Sequence, residues 1–204
     1  MNKSINIAVV GLGQVGSYLL NELNTKKKDI ELKTGKKINI VAISARNINK
    51  KRQFKINKKI FFKDPLDIFK KTKVDIFFEA IGLSDGISKK VVETALKKKI
   101  HVITPNKALI SKHGNELAKI AEQNNVNLEF EASVAGGIPI LRSIKEGLAT
   151  NKISKVYGIL NGTSNYILSE MENSNQSFSD VLKKAQKLGY AEPGNPKLDL
   201  NGFD

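Results

Sequence analysis

The stretch SINIAVVGLGQVGSYLL, residues 4–20, is the most informative part of this chain. Its first seven residues are mostly apolar and β-branched, a pattern that predicts a buried β-strand. Gly11, Gly13 and Gly16 follow in the spacing G-x-G-x-x-G, and the apolar residues after them recur at helical intervals. The stretch therefore predicts a strand, a tight turn and a helix in direct succession.

Each glycine has a physical role in such a unit. Gly11 permits the tight turn, Gly13 lets the backbone approach a pyrophosphate, and Gly16 lets the helix pack closely on the strand. At the start of the helix, the backbone N–H groups of Gln14 and Val15 are available to phosphate oxygens, together with the positive end of the helix dipole. Dinucleotide binding is favoured over a purely structural glycine turn because a strand and a helix flank the motif.

Strands and helices alternate through the first 133 residues. Apolar runs predict further strands at residues 37–45, 74–82, 100–106 and 126–133, and amphipathic patterns predict helices at residues 85–99 and 116–125. This alternation is typical of βαβ units with parallel strands. We expect an α/β fold with a Rossmann-type, doubly wound parallel sheet in residues 1–133.

The sequence changes in character after Ser133. A glycine-rich loop leading to a helix is predicted at residues 134–151, and a strand, a turn and a second helix are predicted at residues 152–171. A third helix, at residues 177–193, carries a serine start signal and a glycine stop signal. Residues 134–204 are therefore expected to form part of a smaller α+β substrate domain.

Composition narrows the functional class. No apolar run approaches the length of a membrane span, and no signal peptide precedes the first strand, which predicts a cytoplasmic protein without a membrane partner. Cysteine is absent, which excludes a thiolate metal site and a cysteine nucleophile. The formal net charge of +14 rests mainly on dispersed lysines, which favours a solvated surface over a nucleic-acid interface.

The end of the second predicted strand bears on the choice of cofactor. An acidic residue at this point would hold the ribose hydroxyls of NAD, but the chain has SARNINKKR, with Ser44 and Arg46. Arg46 can pair with a 2′-phosphate, so NADP is preferred and NAD stays possible. The alternative is that Arg46 is an ordinary surface residue in a basic loop.

Two further segments contain candidate site residues. Lys107 follows the fourth predicted strand, at the sheet edge where open α/β sheets bind ligands. The segment GILNGTSNYIL, residues 158–168, places polar residues at the start of a helix. These residues either contact a ligand or cap the helix, with Thr163 or Ser164 as the N-cap.

Five motifs in order make the chain resemble the homoserine dehydrogenase family. They are GLGQVG, TPNK, EASVAGGIPI, GILNGTSNYIL and the closing GYAEP…LDLNGFD. The resemblance implies reduction of L-aspartate 4-semialdehyde to L-homoserine with NADPH or NADH, on the route to threonine and methionine. It also implies a homodimeric or homotetrameric parent enzyme.

The resemblance further implies roles for individual residues. Catalytic roles fall to Lys107 and Asp204, and Lys107 also lies near the cofactor. The residues implied in substrate binding are Gly162, Thr163, Glu192 and Asp199. The cofactor set adds Gly82 and Gly189 to the glycine turn and Arg46. A sodium ion would be held by Glu131 and by the backbone carbonyls of Val134, Gly136 and Ile138.

The same resemblance suggests that the chain is a fragment. The family places a catalytic lysine four residues after the position of Asp204, so we expect this chain to bind NADPH with little or no turnover. The family's Glu-x-Asp-Pro is replaced by EPGNP, which changes the expected reach of Glu192. The alternatives are a non-catalytic nucleotide-binding Rossmann domain and a semialdehyde-oxidising enzyme, which would need the missing cysteine.

Overall fold

The computed structural model describes residues 4–50, 52, 56–191, 200 and 202. The chain divides into two compact units, Met1–Ser133 and Val134–Asp204. Within the described residues, no helix is both long enough and apolar enough to cross a lipid bilayer.

The first unit is built on one six-stranded sheet. Its strands are β1 (Ser4–Val10), β2 (Lys37–Ser44), β3 (Phe61–Phe62), β4 (Ile76–Glu79), β5 (His101–Ile103) and β6 (Leu128–Glu129). They lie in the order β3-β2-β1-β4-β5-β6, and every neighbouring pair is parallel. The order reverses between β1 and β4, the arrangement in which doubly wound folds bind dinucleotides beyond the carboxyl ends of the strands. The predicted α/β fold is therefore confirmed.

Helices pack on both faces of this sheet. Along β1, Ala8 and Val10 belong to one buried apolar cluster, while Ile7 and Val9 belong to another. Alternate residues of a strand point to opposite faces, so both faces are covered, and this explains the nearly continuous apolar character of the strand. The helices of this unit are α1 (Gln14–Thr25), α2 (Lys27–Thr34), α3 (Ile68–Lys71), α4 (Ile87–Lys97) and α5 (Lys107–Gln123).

The structure differs from the sequence prediction at several boundaries. Helix α5 begins at Lys107 rather than at residue 116, because the Asn106 side chain accepts a hydrogen bond from the Leu109 N–H and caps the helix. Strand β6 is limited to two residues. Two short elements, α2 and β3, were not predicted from the sequence, and neither has a buried residue.

The described part of the second unit consists of helices and irregular segments. Helix α7 (Gly162–Ser174) packs on helix α8 (Phe178–Leu188) through a small core of Ile167, Val181, Ala185 and Ala191. The strand predicted at the start of residues 152–171 is wrong: residues 152–160 are irregular, and Tyr157 is 85% exposed. A strand needs a hydrogen-bonded neighbour, and the described part of this unit contains no strand to pair with it. Its helices are α6 (Ile140–Arg142), a π-helical turn (Ser143–Gly147), α7 (Gly162–Ser174) and α8 (Phe178–Leu188).

The close backbone contact at Gly16, in the first turn of α1, leads to a prediction about stability. A Cβ atom added to Gly16 would lie 2.0 Å from the Gly11 carbonyl oxygen, whereas one added to Gly13 would meet nothing within 4 Å. Gly16→Ala should therefore lower the free energy of unfolding by about 1–3 kcal/mol, because backbone must move to relieve the overlap. Gly13→Ala, the matched control, should change it by less than about 1 kcal/mol. Urea unfolding followed by circular dichroism measures both, and equal losses would contradict this account.

Candidate functional site

The turn between β1 and α1 brings three backbone segments into very close contact. Gly11 has a φ of +91°, which L-residues with side chains rarely adopt. A Cβ atom at Gly11 would lie 2.2 Å from the Ala80 carbonyl oxygen, and Gly16 packs against Gly11 itself. The glycines therefore allow the turn, the start of α1 and the end of β4 to meet without intervening side chains.

The amino terminus of α1 is open to a ligand. Gly13 is the N-cap of the helix and supplies no side-chain cap to the first N–H groups. The first turn contains no acidic residue, and Gly13, Gln14 and Val15 are exposed. Free N–H groups at a helix amino terminus bind anions, and a Cβ atom added at Gly13 would meet nothing within 4 Å, so a ligand can approach the backbone there.

A cleft of about 420 Å³ lies beyond the carboxyl ends of β1, β2 and β4. The glycine turn forms part of its wall through Gly11 and Gly13. All charged residues among its described lining are cationic, and they come from the segments after β2 and β3. A concentration of positive charge without an acidic partner favours a polyanionic ligand. These residues are Arg46, Lys50, Arg52 and Lys63.

Two of these cations have different roles in the cleft. Arg46 is exposed at the end of β2, so its guanidinium group is accessible to a ligand. Arg52 is half-buried, and its guanidinium group donates to the carbonyls of Leu12, Asn47, Ile48 and Lys50 at 2.9–3.3 Å. Arg52 thus ties the loop after β2 to the glycine turn, 40 positions earlier in the chain.

Arg46 was predicted from the sequence as a coenzyme contact, but the positioning role of Arg52 was not. Both were visible as part of a basic run, but nothing local to that run indicates that Arg52 reaches the carbonyl of Leu12. Lys63 was missed for the same reason, because it approaches the cleft only through the pairing of β3 with β2.

The opposite wall of the cleft follows β4. Ala80, Ile81 and Leu83 line it, and Gly82 lies between the last two with a left-handed φ of +86°. Lys107 is the first residue of α5, just beyond the carboxyl end of β5, and is half-buried. The sheet therefore places Gly82 and Lys107 at the same edge as the glycine turn.

The loop after β4 is also held from its outer side. Asp85 accepts hydrogen bonds from Lys112 at 2.7 Å and from Ser84 at 2.7 Å, and its other oxygen lies 2.9 Å from the His113 ring. The Lys112 contact first, and then those of Ser84 and His113, hold the pKa of the Asp85 carboxyl well below its usual range. Asp85 is therefore ionised at neutral pH and attaches this loop to α5.

In the second unit, two predicted site segments lie together. Thr163 is buried near the start of α7 and donates its hydroxyl hydrogen bond to the Tyr190 carbonyl. Tyr190 directly follows Gly189, which ends α8 in a left-handed conformation. The hydrogen bond therefore brings Gly162 and Thr163 beside Gly189, although 27 positions separate Thr163 from Tyr190.

This segment does cap the helix, as the second alternative predicted, but the capping residue is neither Thr163 nor Ser164. Asn161 is the N-cap of α7, and its side chain accepts a hydrogen bond from the Ser164 N–H at 2.7 Å. Neither Thr163 nor Ser164 occupies the cap position, because helical geometry already begins at Gly162. The buried hydroxyl of Thr163 instead serves the contact with Tyr190.

The remaining predicted site residues are distributed as follows. Glu131 begins a 3₁₀ turn at the end of the first unit, and Val134, Gly136 and Ile138 belong to the second unit. Among the described residues, no group of three or more His, Asp or Glu side chains is arranged to hold a metal ion. Glu192, Asp199 and Asp204 lie outside the residues that the structure describes.

Comparison with known proteins identifies two family matches. A family model described as "Homoserine dehydrogenase, NAD binding domain" matches residues 11–131, and one described as "Homoserine dehydrogenase" matches residues 139–204. A homoserine dehydrogenase from Neisseria gonorrhoeae is 43% identical over 99% of this chain and 46% of its own length. One from Helicobacter pylori is 40% identical over 100% of this chain and 47% of its own length.

Solved structures agree with these sequence matches. The crystal structure of a homoserine dehydrogenase from Thiobacillus denitrificans matches with a TM-score of 0.81 at 38% identity, over 97% of this chain and 45% of that one. The chain therefore spans about half the length of the relatives it matches.

The Arg52 contacts make a testable prediction. Arg52→Lys keeps the charge but removes the planar fork, so most of the four backbone contacts are lost. Amide hydrogen exchange in residues 46–50 should accelerate about tenfold or more, since hydrogen bonds from charged groups contribute roughly 1.5–3 kcal/mol. Arg142→Lys, an exposed arginine of the second unit, serves as the matched control. Unchanged exchange in residues 46–50 would show that Arg52 does not hold the loop.

Proposed function

The chain belongs to the homoserine dehydrogenase family, and we propose that it supplies the coenzyme site of an enzyme that reduces L-aspartate 4-semialdehyde to L-homoserine. NADPH is the preferred reductant in this proposal, with NADH as a weaker substitute. In the reaction, a hydride adds to the aldehyde carbon, a proton adds to the aldehyde oxygen, and the oxidised coenzyme and a primary alcohol leave.

The cationic cleft is the observation that carries this proposal. Arg46 and Arg52 follow β2, at the place where an acidic residue would contact the ribose hydroxyls of NAD. Together with Lys50 and Lys63, they supply positive charge for a 2′-phosphate, which is dianionic or nearly so at neutral pH. The switch point between β1 and β4 then determines where the diphosphate crosses the sheet.

Different residues of the chain bind the diphosphate, the 2′-phosphate and the substrate in this proposal. The N–H groups at the start of α1 hold the diphosphate, and Arg46 pairs with the 2′-phosphate from an exposed position. The bound coenzyme supplies the hydride. Lys107, at the carboxyl end of β5, donates hydrogen bonds to the substrate or transfers a proton to its oxygen.

We assign the amino-acid end of the substrate to the second unit. Gly162 and Thr163 contact the substrate near the nicotinamide, with Gly189 against the coenzyme, and the Thr163–Tyr190 hydrogen bond supports this grouping because it holds the two segments together. Carboxylates suit the ammonium group of an amino acid, which is the role proposed for Glu192 and Asp199. Asp204 is proposed to act beside the reacting aldehyde.

Sodium is a further part of the proposal. Glu131 and the carbonyls of Val134, Gly136 and Ile138 are oxygen ligands, the type that a hard monovalent cation prefers. The Ile138 carbonyl already accepts a hydrogen bond from the Ile140 N–H at 2.8 Å, and its second lone pair is available to a cation. We also propose that the enzyme acts in the cytoplasm as a homodimer or homotetramer.

Turnover tests the proposed reaction. The protein that carries this chain should oxidise NADPH only when L-aspartate 4-semialdehyde is present, with one homoserine formed for each NADPH consumed, because hydride and proton transfer are coupled to that product. Absorbance at the dihydronicotinamide band and amino-acid analysis measure the two quantities. Oxidation that does not depend on the aldehyde would contradict the proposal.

Arg46 should set the preference between coenzymes. Arg46→Asp replaces a phosphate partner with a carboxylate that repels phosphate and accepts hydrogen bonds from ribose hydroxyls. The ratio of the NADPH Kd to the NADH Kd should rise by about tenfold or more, since one charge-assisted contact contributes roughly 1.5–3 kcal/mol. Fluorescence titration with each coenzyme measures the ratio.

The control substitution must change the net charge of the protein by the same amount as Arg46→Asp. Lys98→Asp does so at an exposed residue that ends α4 and does not line the cleft. It should leave the ratio unchanged within a factor of about two, because surface charges are screened over roughly 10 Å at 0.1 M salt. Equal shifts in both variants would show that net charge, rather than Arg46, determines the preference.

A further inference from the structure

A carboxylate is fully buried at the end of β4, in the middle of the sheet. Glu79 has no exposed surface and pairs with Val10 of β1 across the sheet. Glutamate is almost never fully buried unless its oxygens are paired, because removing a carboxylate from water is costly. Glu79 therefore needs donors nearby, and the identity of those donors indicates what it organises.

Three donors from two segments converge on Glu79. The Thr104 hydroxyl donates to one carboxylate oxygen at 2.6 Å. The Ile81 N–H donates to the other at 2.8 Å, and the Asn106 side-chain amide lies 3.4 Å from the same oxygen. One side chain thus joins the loop after β4 to the segment between β5 and α5.

Asn106 extends this network in both directions. Its side-chain amide donates to the Leu83 carbonyl at 2.8 Å, and its side-chain oxygen accepts from the Leu109 N–H at 3.1 Å. Its own backbone N–H donates to the Thr104 hydroxyl oxygen at 3.1 Å. The network therefore sets both the path of the loop that contains Leu83 and the first turn of α5.

The loop held in this way is a wall of the coenzyme cleft. Ile81 and Leu83 line the cleft on the side opposite to Arg46. A dinucleotide that places its adenosine ribose at the end of β2 and crosses at the switch point places its nicotinamide half beyond β4 and β5. The network thus lies behind the nicotinamide half of the site, with Lys107 at its edge.

We propose that Glu79 is a positioning residue that sets the nicotinamide side of the coenzyme site by holding Ile81, Thr104 and Asn106. This inference rests on the proposed function above. A buried carboxylate is often no more stabilising than an apolar residue of similar volume, so stability alone does not account for it. Its specific contribution is geometric: it keeps the loop after β4 and the start of α5 in one arrangement.

Two ligands separate a positioning role from a purely structural one. NADPH contacts both halves of the site, whereas 2′,5′-ADP contacts only the adenosine half. Disrupting the network should raise the Kd for NADPH about tenfold and change the Kd for 2′,5′-ADP by less than about twofold, because the cationic wall is left intact. The fluorescence emission maximum of bound NADPH should also shift, because it depends on the environment of the reduced nicotinamide ring.

The primary variant is Glu79→Gln, which keeps the size of the side chain. Its amide group would face the Thr104 hydroxyl, which would then have to accept two hydrogen bonds and would lose the acceptor for its own proton. Thr104→Val is the second variant, because it removes the hydroxyl with little change in volume and keeps the carboxylate. Val92→Ala is the matched control, since Val92 is fully buried in the same unit and does not line the cleft.

The outcomes are distinguishable. Selective loss of NADPH affinity in Glu79→Gln or Thr104→Val, with Val92→Ala lowering only the melting temperature, supports the proposal. If the variants lose affinity for NADPH and 2′,5′-ADP equally, or if they melt at a lower temperature with unchanged affinities, Glu79 has only a structural role. Either result overturns the proposal. If Glu79→Gln does not fold, Thr104→Val alone decides between these outcomes. A wild-type protein that binds neither ligand would instead contradict the proposed coenzyme site itself.

Discussion

The approach of Gly11, Gly16 and Ala80 to one another is the constraint on which the first unit depends. A single added Cβ at Gly11 or Gly16 would overlap a carbonyl oxygen by about 1 Å or more relative to ordinary contact. Because the backbones meet directly, the start of α1 lies close over the ends of β1 and β4. This places free N–H groups at the point where the strand order reverses, and the cleft forms around them.

The two walls of that cleft differ in charge and in the interactions that support them. The wall proposed to face the adenosine half of the coenzyme is cationic and mostly exposed, so its attraction for a phosphate would weaken as the salt concentration rises. Arg52 restricts the movement of this wall because its guanidinium group donates hydrogen bonds to backbone carbonyls. The wall formed by the loop after β4, proposed to face the nicotinamide, is apolar at its surface and is supported from behind by a buried hydrogen-bond network around Glu79. A cationic wall and an apolar wall supported by a buried network thus lie at separate parts of one sheet edge.

Much of the first unit was predictable because its signals are local. The G-x-G-x-x-G spacing, the apolar runs and the helix patterns each lie within about 20 residues, and the structure confirms the sheet they indicated. The start of α5 was misplaced because Pro105 and the cap at Asn106 were taken as part of a strand end. The strand predicted at the start of residues 152–171 was wrong, because an apolar segment forms a strand only where a neighbouring strand pairs with it.

By itself, the sequence determined the fold class, the position of the glycine turn after β1 and the basic character of the segment after β2, because these follow from local spacing and charge. Only the tertiary structure decided that Arg52 reaches Leu12 across 40 positions and that Glu79 accepts from Thr104 across 25. In the sequence, Glu79 is one polar residue in an apolar run, and Arg52 is one cation among several. Their partners are distant along the chain, and parallel strands bring them together only when the sheet has formed.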